Sequence, residues 1–128
     1  SSTTILDNAH NPAEARLLAA TWRGEFGGTK ANLIFGAVEA KDIEGMLEAL
    51  APIAGHLHFA PVNSPRALPP EELAAFLPEE APAFTIHASL QSALESSTNL
   101  PSLITGSAFL IGEVKALHER TAHRITTQ

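Results

Sequence analysis

The chain has 128 residues, of which 45% are hydrophobic and 17% charged, so it is long enough to form one globular domain with its own core. Its net charge of −6 argues against nonspecific nucleic-acid binding, and no apolar run approaches the roughly 20 residues that span a bilayer. It has no cysteine, which excludes disulfides, thiolate metal sites and thiol catalysis and fits a reducing compartment, so we expect a cytoplasmic protein.

The first predicted strand, Thr4–Leu6, leads through a polar stretch into a helix. Pro12 suits the first turn of that helix because its missing N–H would be unpaired there, and Asn11 is the natural N-cap. Gly24 and the pair at 27–28 are expected to end the helix. Four apolar residues repeat at helical spacing and predict its buried face: Ala15, Leu18, Ala19 and Trp22.

Two further strand–helix units follow. Leu33–Phe35 predicts a buried strand that stops at Gly36, and Leu57–Phe59 predicts a third strand that enters a turn-rich loop over residues 61–70. Asp42 is the expected cap of the second helix. The predicted helix faces are Ile43, Met46, Leu47 and Leu50 for the second helix and Leu73, Phe76 and Leu77 for the third.

The fourth and fifth strands are predicted at Phe84–Ile86 and Leu103–Thr105, and residues 121–128 form a polar tail. The helix faces expected after these strands are Leu90, Ala93 and Leu94, then Leu110, Val114 and Leu117. Five alternating strand–helix units with short connections predict an α/β, Rossmann-like fold. We expect one domain over residues 1–120, with a mainly parallel, twisted sheet of about five to six strands and helices on both faces.

Three polar corners should meet at one edge of this sheet, because the carboxyl ends of parallel strands share an edge. They are residues 7–11, 36–42 and 105–107, and the loop that carries Asn63 and Arg66 should join them. Open α/β sheets bind their ligands at this edge. The sequence therefore predicts a ligand site built from several strand ends.

The first and last corners offer suitable chemistry. Asp7 could accept hydrogen bonds from a ribose diol, and His10 could hold a carboxylate or phosphate or move a proton near neutral pH. Ser107 places a hydroxyl at a helix N-terminus, where anions are favoured. The alternative is purely structural, an Asx-turn with ordinary helix caps, and that alternative has no need of His10.

Other candidates are weaker. His56 and His58 alternate along a strand and point to the same side, but no carboxylate or third histidine is close in sequence. We interpret both as surface residues of a half-exposed strand, and His87, His118 and His123 as solvated. Residues 24–30 lack the order of a phosphate loop and precede a strand instead of following one. No Ser-His-Asp triad is indicated.

Four ordered motifs stand at the strand ends: D-N-A-H-N-P at 7–12, G-A-V-E-A-K-D at 36–42, N-S-P-R-A at 63–67, and T-G-S at 105–107 followed by G-E-V at 112–114. With them the chain resembles the C-terminal domain of folylpolyglutamate synthase and dihydrofolate synthase, in the Mur ligase superfamily. That family has D-G-A-H-N-P, a G-x-x-x-D-K-D-like stretch, N-x-P-R-A, and T-G-S with G-E-V at these places.

The resemblance implies an ATP-dependent ligase that adds L-glutamate to folate or dihydropteroate through an acyl phosphate, with ATP and Mg²⁺ as cofactors. It implies that Asp7 and Asn11 contact ATP, and that His10, Ser107 and Arg66 bind glutamate. It also implies that Lys41 and the cap residue after it shape the second corner. Which of the two pteroate-type substrates is used depends on a pocket that these motifs do not contain.

The chain departs from the family pattern at two positions. Asn8 replaces the usual glycine, and asparagine tolerates the same left-handed backbone angles. Ala40 replaces the first acid of the D-K-D stretch and puts any contact through that position in doubt. The phosphate loop, the Mg²⁺ ligands and the folate pocket belong to the family's N-terminal ATPase domain, which we expect as the partner of this chain.

The chain begins almost at its first strand and has no signal peptide, which suggests a domain cut from a longer protein. We therefore expect the isolated chain to be catalytically inactive. The alternative is a stand-alone α/β module that binds a small ligand or regulates another protein without ligase activity.

Overall fold

The computed structural model describes residues 3–39, 41–96 and 99–126, and side chains as far as residue 120. Ala40 lies outside the described residues. Strands and helices alternate along the chain. They are β1 (Thr4–Leu6), α1 (Pro12–Phe26), β2 (Ala31–Phe35), α2 (Ile43–Leu50), a 3₁₀ turn (Ala51–Ile53), β3 (Ala54–Phe59), α3 (Pro70–Ala74), β4 (Phe84–Ile86), α4 (Leu90–Glu95), β5 (Ser102–Thr105) and α5 (Ala108–Thr126).

The strands form one five-stranded sheet in the order β1-β5-β2-β3-β4, and each neighbouring pair is parallel. Leu103 of β5 lies opposite Ile5 on one side and Leu33 on the other. The last strand of the sequence therefore inserts between the first two. This arrangement confirms the predicted α/β fold with a parallel sheet.

Helices cover both faces of the sheet, as predicted. One hydrophobic cluster joins α1, α2 and α3 to the face that carries Leu33 and Leu57, and a second joins α4 and α5 to the face that carries Ile34 and Ile104. All eight residues predicted for the faces of α1 and α2 are buried. Among the described residues, no helix is both long and apolar enough to cross a membrane.

The strands β2, β3 and β5 begin one to three residues before their predicted starts. Three helices also differ from the predictions. Helix α1 continues through Gly24 and is capped by Gly27, whose φ of 59° lies in the left-handed region that favours glycine. Helix α3 ends at Ala74, since Pro78 disfavours helical angles just before it, and Phe76 is 40% exposed instead of buried. The backbone of residues 121–126, assigned above to a polar tail, continues α5.

The interpretation of His58 and His87 as surface residues was wrong. Both are buried, because α4 lies over their face of the sheet, and their rings are joined by a bond of 2.8 Å between His58 Nδ1 and His87 Nε2. His58 Nε2 lies 2.7 Å from Asn32 Oδ1, and His87 Nδ1 lies 2.9 Å from Ser92 Oγ. These four side chains form a polar network, in which Asn32, His58 and His87 are buried and Ser92 is exposed.

The direction of the hydrogen bonds in this network follows from the acceptor at one end, Asn32 Oδ1. Asn32 Oδ1 can only accept, so His58 Nε2 carries the hydrogen and His58 Nδ1 accepts from His87 Nε2–H. Burial lowers the pKa of His58 from 6.5 to about 4, with further contributions from His56 and His87. Burial likewise lowers the pKa of His87. Both rings are therefore neutral at pH 7.

Candidate functional site

The polar corner after β1 is fastened to β5 by a main-chain bond. The Asp7 N–H donates to the carbonyl of Ile104 at 3.1 Å, just before the β5 corner begins. Oδ1 of Asp7 accepts from the Ala9 N–H at 2.9 Å, which closes the expected Asx-turn. The carboxylate is half-buried, and its second oxygen remains for a ligand.

The next residues of this corner form the start of α1. Asn11 is the N-cap, as predicted, and its Oδ1 accepts from the Glu14 N–H at 2.8 Å. Oε1 of Glu14 accepts from the His10 N–H at 3.0 Å and lies 2.9 Å from His10 Nδ1. The carbonyl of Asn8 also lies 3.1 Å from Nδ1. Because both neighbours of Nδ1 are acceptors, Nδ1 carries the hydrogen, and no hydrogen bond to Nε2 is made by the described residues.

The corner after β5 depends on a glycine and a serine. Gly106 has φ of 119°, and a Cβ on it would lie 2.4 Å from the carbonyl oxygen of Gly36. This close approach places the end of β5 directly against the end of β2. Ser107 then caps α5, since its Oγ accepts from the Phe109 N–H at 3.1 Å and its carbonyl accepts from the Ile111 N–H at 3.1 Å.

Thr105, the last residue of β5, carries a polar atom that the described residues do not satisfy. Its side chain is fully buried, and Oγ1 has no hydrogen-bond partner among them. A buried hydroxyl without a partner costs about 1–3 kcal/mol. Thr105 therefore leaves one unsatisfied hydroxyl at this corner among the described residues.

Arg66 lies above the end of β2. The Glu39 N–H donates to the Arg66 carbonyl at 2.8 Å, and Val38 forms an antiparallel bridge with Ala67. The Arg66 Nε lies 3.4 Å from Glu39 Oε1, and both side chains are about 60% exposed. Such exposed pairs are worth about 0–1 kcal/mol, so Glu39 orients the guanidinium without holding it strongly.

The second predicted corner, at the start of α2, packs beside the first. Asp42 caps α2 as predicted, with Oδ1 accepting from the Gly45 N–H at 3.0 Å. A Cβ on Gly45 would lie 2.7 Å from Cγ of Pro12. The first turns of α1 and α2 therefore lie side by side. Lys41 is half-exposed at this corner.

The structure thus brings most of the predicted site residues to one edge of the sheet. The β1 and β5 corners, which carry Asp7 and Ser107, are neighbours through the pairing of these strands. Arg66 lies farther along the edge, and within the described chain no hydrogen bond joins it to Asp7, His10 or Ser107.

Sequence reasoning missed three residues of this edge. Glu14 orients His10, and its position four residues later in the first turn of a helix was the available signal. Glu39 pairs with Arg66 through a loop contact that has no sequence signature. Phe109 is 54% exposed on the first turn of α5, and an aromatic residue off the buried face of a helix was its signal.

A broad cleft of about 1230 Å³ lies elsewhere, between α4 and α5. Its lining includes Leu94, Val114 and Leu117 but none of the predicted site residues. Among the side chains that the structure describes, which end at residue 120, no three His, Asp or Glu lie close enough together to hold a metal ion. The polar strand ends, and not this apolar cleft, therefore form the candidate site.

A parallel α/β sheet whose polar strand ends converge where β5 inserts between β1 and β2 defines a Rossmann-like ligand-binding domain. The chain belongs to the family described as the Mur ligase, glutamate ligase domain, whose family model matches residues 1–104.

Individual relatives agree with this assignment. The chain is 36% identical over 62 residues to the dihydrofolate synthase/folylpolyglutamate synthase of Bacillus subtilis. This match covers 48% of the chain and 14% of the relative. The Mycobacterium tuberculosis folylpolyglutamate synthase solved with ADP superposes with a TM-score of 0.81 and 28% identity, over 89% of this chain and 29% of that one. The bifunctional Yersinia pestis enzyme solved with AMPPNP and Mn gives a TM-score of 0.76 and 28% identity, over 90% and 28%. The chain therefore spans less than a third of each relative.

Proposed function

We propose that this chain is the C-terminal domain of an ATP-dependent ligase that adds L-glutamate to folate or dihydropteroate through an acyl-phosphate intermediate. The observation that carries the proposal is the junction of the β1 and β5 corners, where the Asp7 N–H bonds to Ile104 beside the Thr105–Ser107 turn. These corners carry two of the motifs on which the resemblance depends, and the relatives named above are enzymes of this kind.

We propose that Asp7 and Asn11 contact ATP. The second oxygen of the Asp7 carboxylate would accept a hydrogen bond from the ribose while Oδ1 keeps the Asx-turn. Asn11 uses its Oδ1 to cap α1, which leaves its amide group as a donor to the nucleotide. ATP supplies the phosphoryl group that activates the acceptor carboxylate, and we propose that its Mg²⁺ is held mainly by the N-terminal ATPase domain.

We propose that His10, Ser107 and Arg66 position the incoming glutamate. Glu14 fixes the His10 ring so that Nε2 faces a ligand carboxylate. The Ser107 oxygen caps α5 while its O–H can still donate. Arg66 offers a guanidinium fork for a carboxylate if it exchanges Glu39 for the substrate. Positioning of this kind can contribute roughly 7–11 kcal/mol toward a bimolecular barrier at best.

Further parts of the proposal concern the whole enzyme. The 62-residue match covers 14% of the curated relative, so the phosphate loop and the pteroate pocket would come from the N-terminal ATPase domain as its partner. We propose that the 128-residue chain alone is inactive and that the enzyme works in the cytoplasm.

The experiment is a glutamate-incorporation assay on the product of the complete gene, with ATP and with dihydropteroate or tetrahydrofolate as acceptor. We expect incorporation by the complete product and none by the 128-residue chain. No incorporation by the complete product with either acceptor, together with glutamate binding by the isolated chain, would favour the stand-alone binding or regulatory module instead.

Variants of the complete enzyme test the individual roles. Asp7→Asn keeps an acceptor for the Ala9 N–H but removes the charge, and Asp7→Ala removes both. We expect both to raise the KM for ATP more than the KM for glutamate. The opposite order would refute the ribose contact.

His10→Ala and Ser107→Ala should instead raise the KM for glutamate. Ser89→Ala is the matched control for Ser107→Ala, because Ser89 caps α4 in the same way, with Oγ accepting from the Ser92 N–H at 3.1 Å. Equal kinetic effects of the two serine variants would reduce Ser107 to a helix cap.

A further inference from the structure

β4 forms one edge of the sheet and is exposed along its whole length. The sheet order places it beside β3 with no strand on its other side among the described residues. Phe84, Thr85 and Ile86 are all exposed. Natural sheets protect an edge with charged residues, prolines, bulges or a very short strand, and of these β4 has only its length of three residues, since Phe-Thr-Ile contains no charge and no proline.

The main chain of β4 offers hydrogen-bonding groups to that open side. The carbonyl of Ala83 accepts from β3 at 3.0 Å, and the N–H of His87 donates to β3 at 2.9 Å. Main-chain groups alternate in direction along a parallel strand, so Phe84 and Ile86 direct their N–H and C=O groups away from the sheet. These groups can pair with an added strand.

Apolar side chains accompany this edge. Among the described residues, three of the five large hydrophobic side chains that are exposed lie in β4 or just before it, namely Phe76, Phe84 and Ile86, which we call the β4 edge patch. Phe84 and Ile86 share one face of the strand. The Phe84 ring packs against the buried Phe59 ring, with centroids 5.9 Å apart. This contact fixes the orientation of the exposed Phe84 side chain.

The chain segment that carries the β4 edge patch is acidic. The sequence has no lysine or arginine between positions 67 and 114. Four exposed glutamates lie in α3 and in the loop that leads to β4: Glu71, Glu72, Glu79 and Glu80. A second copy of the chain carries the same charges and a net charge of −6, so it would be repelled. A partner with basic groups beside its apolar side chains is complementary.

We propose that the β4 edge patch binds an extended segment of a partner protein, with alternating apolar side chains flanked by lysine or arginine, which adds to the sheet beside β4. This mode supplies main-chain hydrogen bonds from Phe84 and Ile86, apolar contact with the patch and charge attraction from the glutamates. It does not depend on the proposed ligase function, because β4 lies at the opposite edge of the sheet from the β1 corner.

The test is a nuclear magnetic resonance titration of the isotope-labelled 128-residue protein with a nine-residue peptide, Lys-Lys-Val-Thr-Val-Thr-Val-Lys-Lys. The control peptide has glutamate in place of every lysine. We expect the amide signals of residues 84–86 to shift with the lysine peptide, and the glutamate peptide to bind at least about tenfold more weakly at low ionic strength.

Two matched pairs of variants locate the binding. Ile86→Lys should abolish it, whereas Leu17→Lys, which makes the same replacement at an exposed residue of α1, should leave it unchanged. The double change Glu79→Lys with Glu80→Lys should weaken it about tenfold. The same reversal at Glu25 and Glu48, which are exposed on α1 and α2, should weaken it much less.

Four outcomes would overturn the proposal. Equal binding of the two peptides would remove the charge argument, and shifts centred away from residues 84–86 would place the peptide elsewhere. A dimer that forms with rising protein concentration and is lost in Ile86→Lys would make a second copy the occupant. A lack of any shift at about millimolar lysine peptide would exclude strand addition at this edge.

Discussion

Gly106 determines, by the absence of a side chain, how closely the ends of β5 and β2 approach. A methyl group at this position would meet the Gly36 carbonyl at 2.4 Å and would also require an L-residue at φ of 119°. The steric clash and the unfavourable φ both involve main-chain atoms, which have little freedom to move away. Ser107 follows directly, so the placement of its hydroxyl depends on the same glycine.

The variants Gly106→Ala and Gly112→Ala should therefore have opposite effects. Gly106→Ala should lower the free energy of unfolding by roughly 2–5 kcal/mol, through strain and overpacking. At Gly112, inside α5, a Cβ would meet nothing within 4 Å. Gly112→Ala should raise the free energy of unfolding by about 0.5–1 kcal/mol, because alanine is the better helix former. Urea denaturation measures both, and a stable Gly106→Ala protein would contradict the close approach.

The elements on the α4 side of the sheet are joined by the polar network of Asn32, His58, His87 and Ser92. These side chains come from β2, β3, the end of β4 and α4. The hydrogen-bond pattern requires the His58 ring to be neutral, since a second hydrogen on its Nδ1 would face the Nε2–H of His87. The network therefore couples the packing of α4 to pH.

The stability of the protein should fall as the pH is lowered from about 6.5 towards 4. The pKa of His58 is about 4 in the folded protein and 6.5 as its ordinary value, so the unfolded chain binds the proton first. The His58 contribution is complete above pH 6.5 and declines below it. At about 1.4 kcal/mol per pKa unit, His58 alone accounts for a loss of about 3 kcal/mol.

Denaturation curves across this pH range, with a titration of the His58 ring signals, check the prediction. The lowered pKa of His87 acts in the same direction. Replacing the exposed His118 by alanine is the control and should leave the change in stability with pH unaltered. A His58 titration midpoint near 6.5 would show that the ring is not buried in this network.

Helix α2 is held to the sheet by its buried face, where Leu47 is fully buried. Leu47→Ala should cost about 2–5 kcal/mol of stability through lost burial and the cavity left behind. Leu17 is 68% exposed on α1, so Leu17→Ala should change stability by less than about 0.5 kcal/mol. Thermal unfolding of the two variants tests this, and similar costs would mean that α2 does not pack as described.

At the scale of the whole molecule, the sheet order determines which parts open most readily. Among the described residues, β5, β2 and β3 have strand neighbours on both sides, whereas β1 and β4 have a neighbour on one side. Amide hydrogen exchange should therefore be slowest in β2, β3 and β5 and fastest in β1 and β4, because edge strands open with little loss of packing. Exchange in β4 as slow as in β2 would mean that the β4 edge is covered in solution.

Much of this architecture could be predicted from sequence alone, since the signals are local. The apolar spacing of α1 and α2 identified their buried faces, and Asn11 and Asp42 are caps because their side chains bond to backbone three residues later. Alternating strand and helix patterns determined the α/β class. The polar corners followed as well, because parallel strands must end at one edge.

Only the tertiary structure decided how these pieces face one another. The alternation of His56 and His58 shows that they share a side of β3, but α4, thirty residues later, determines that His58 is buried and paired with His87. The pairing of Arg66 with Glu39 likewise depends on a loop contact. The insertion of β5 between β1 and β2 is what brings the Asp7 and Ser107 corners together. Periodicity reports which residues of one element lie on the same side, whereas strand order and burial depend on contacts between elements distant in sequence.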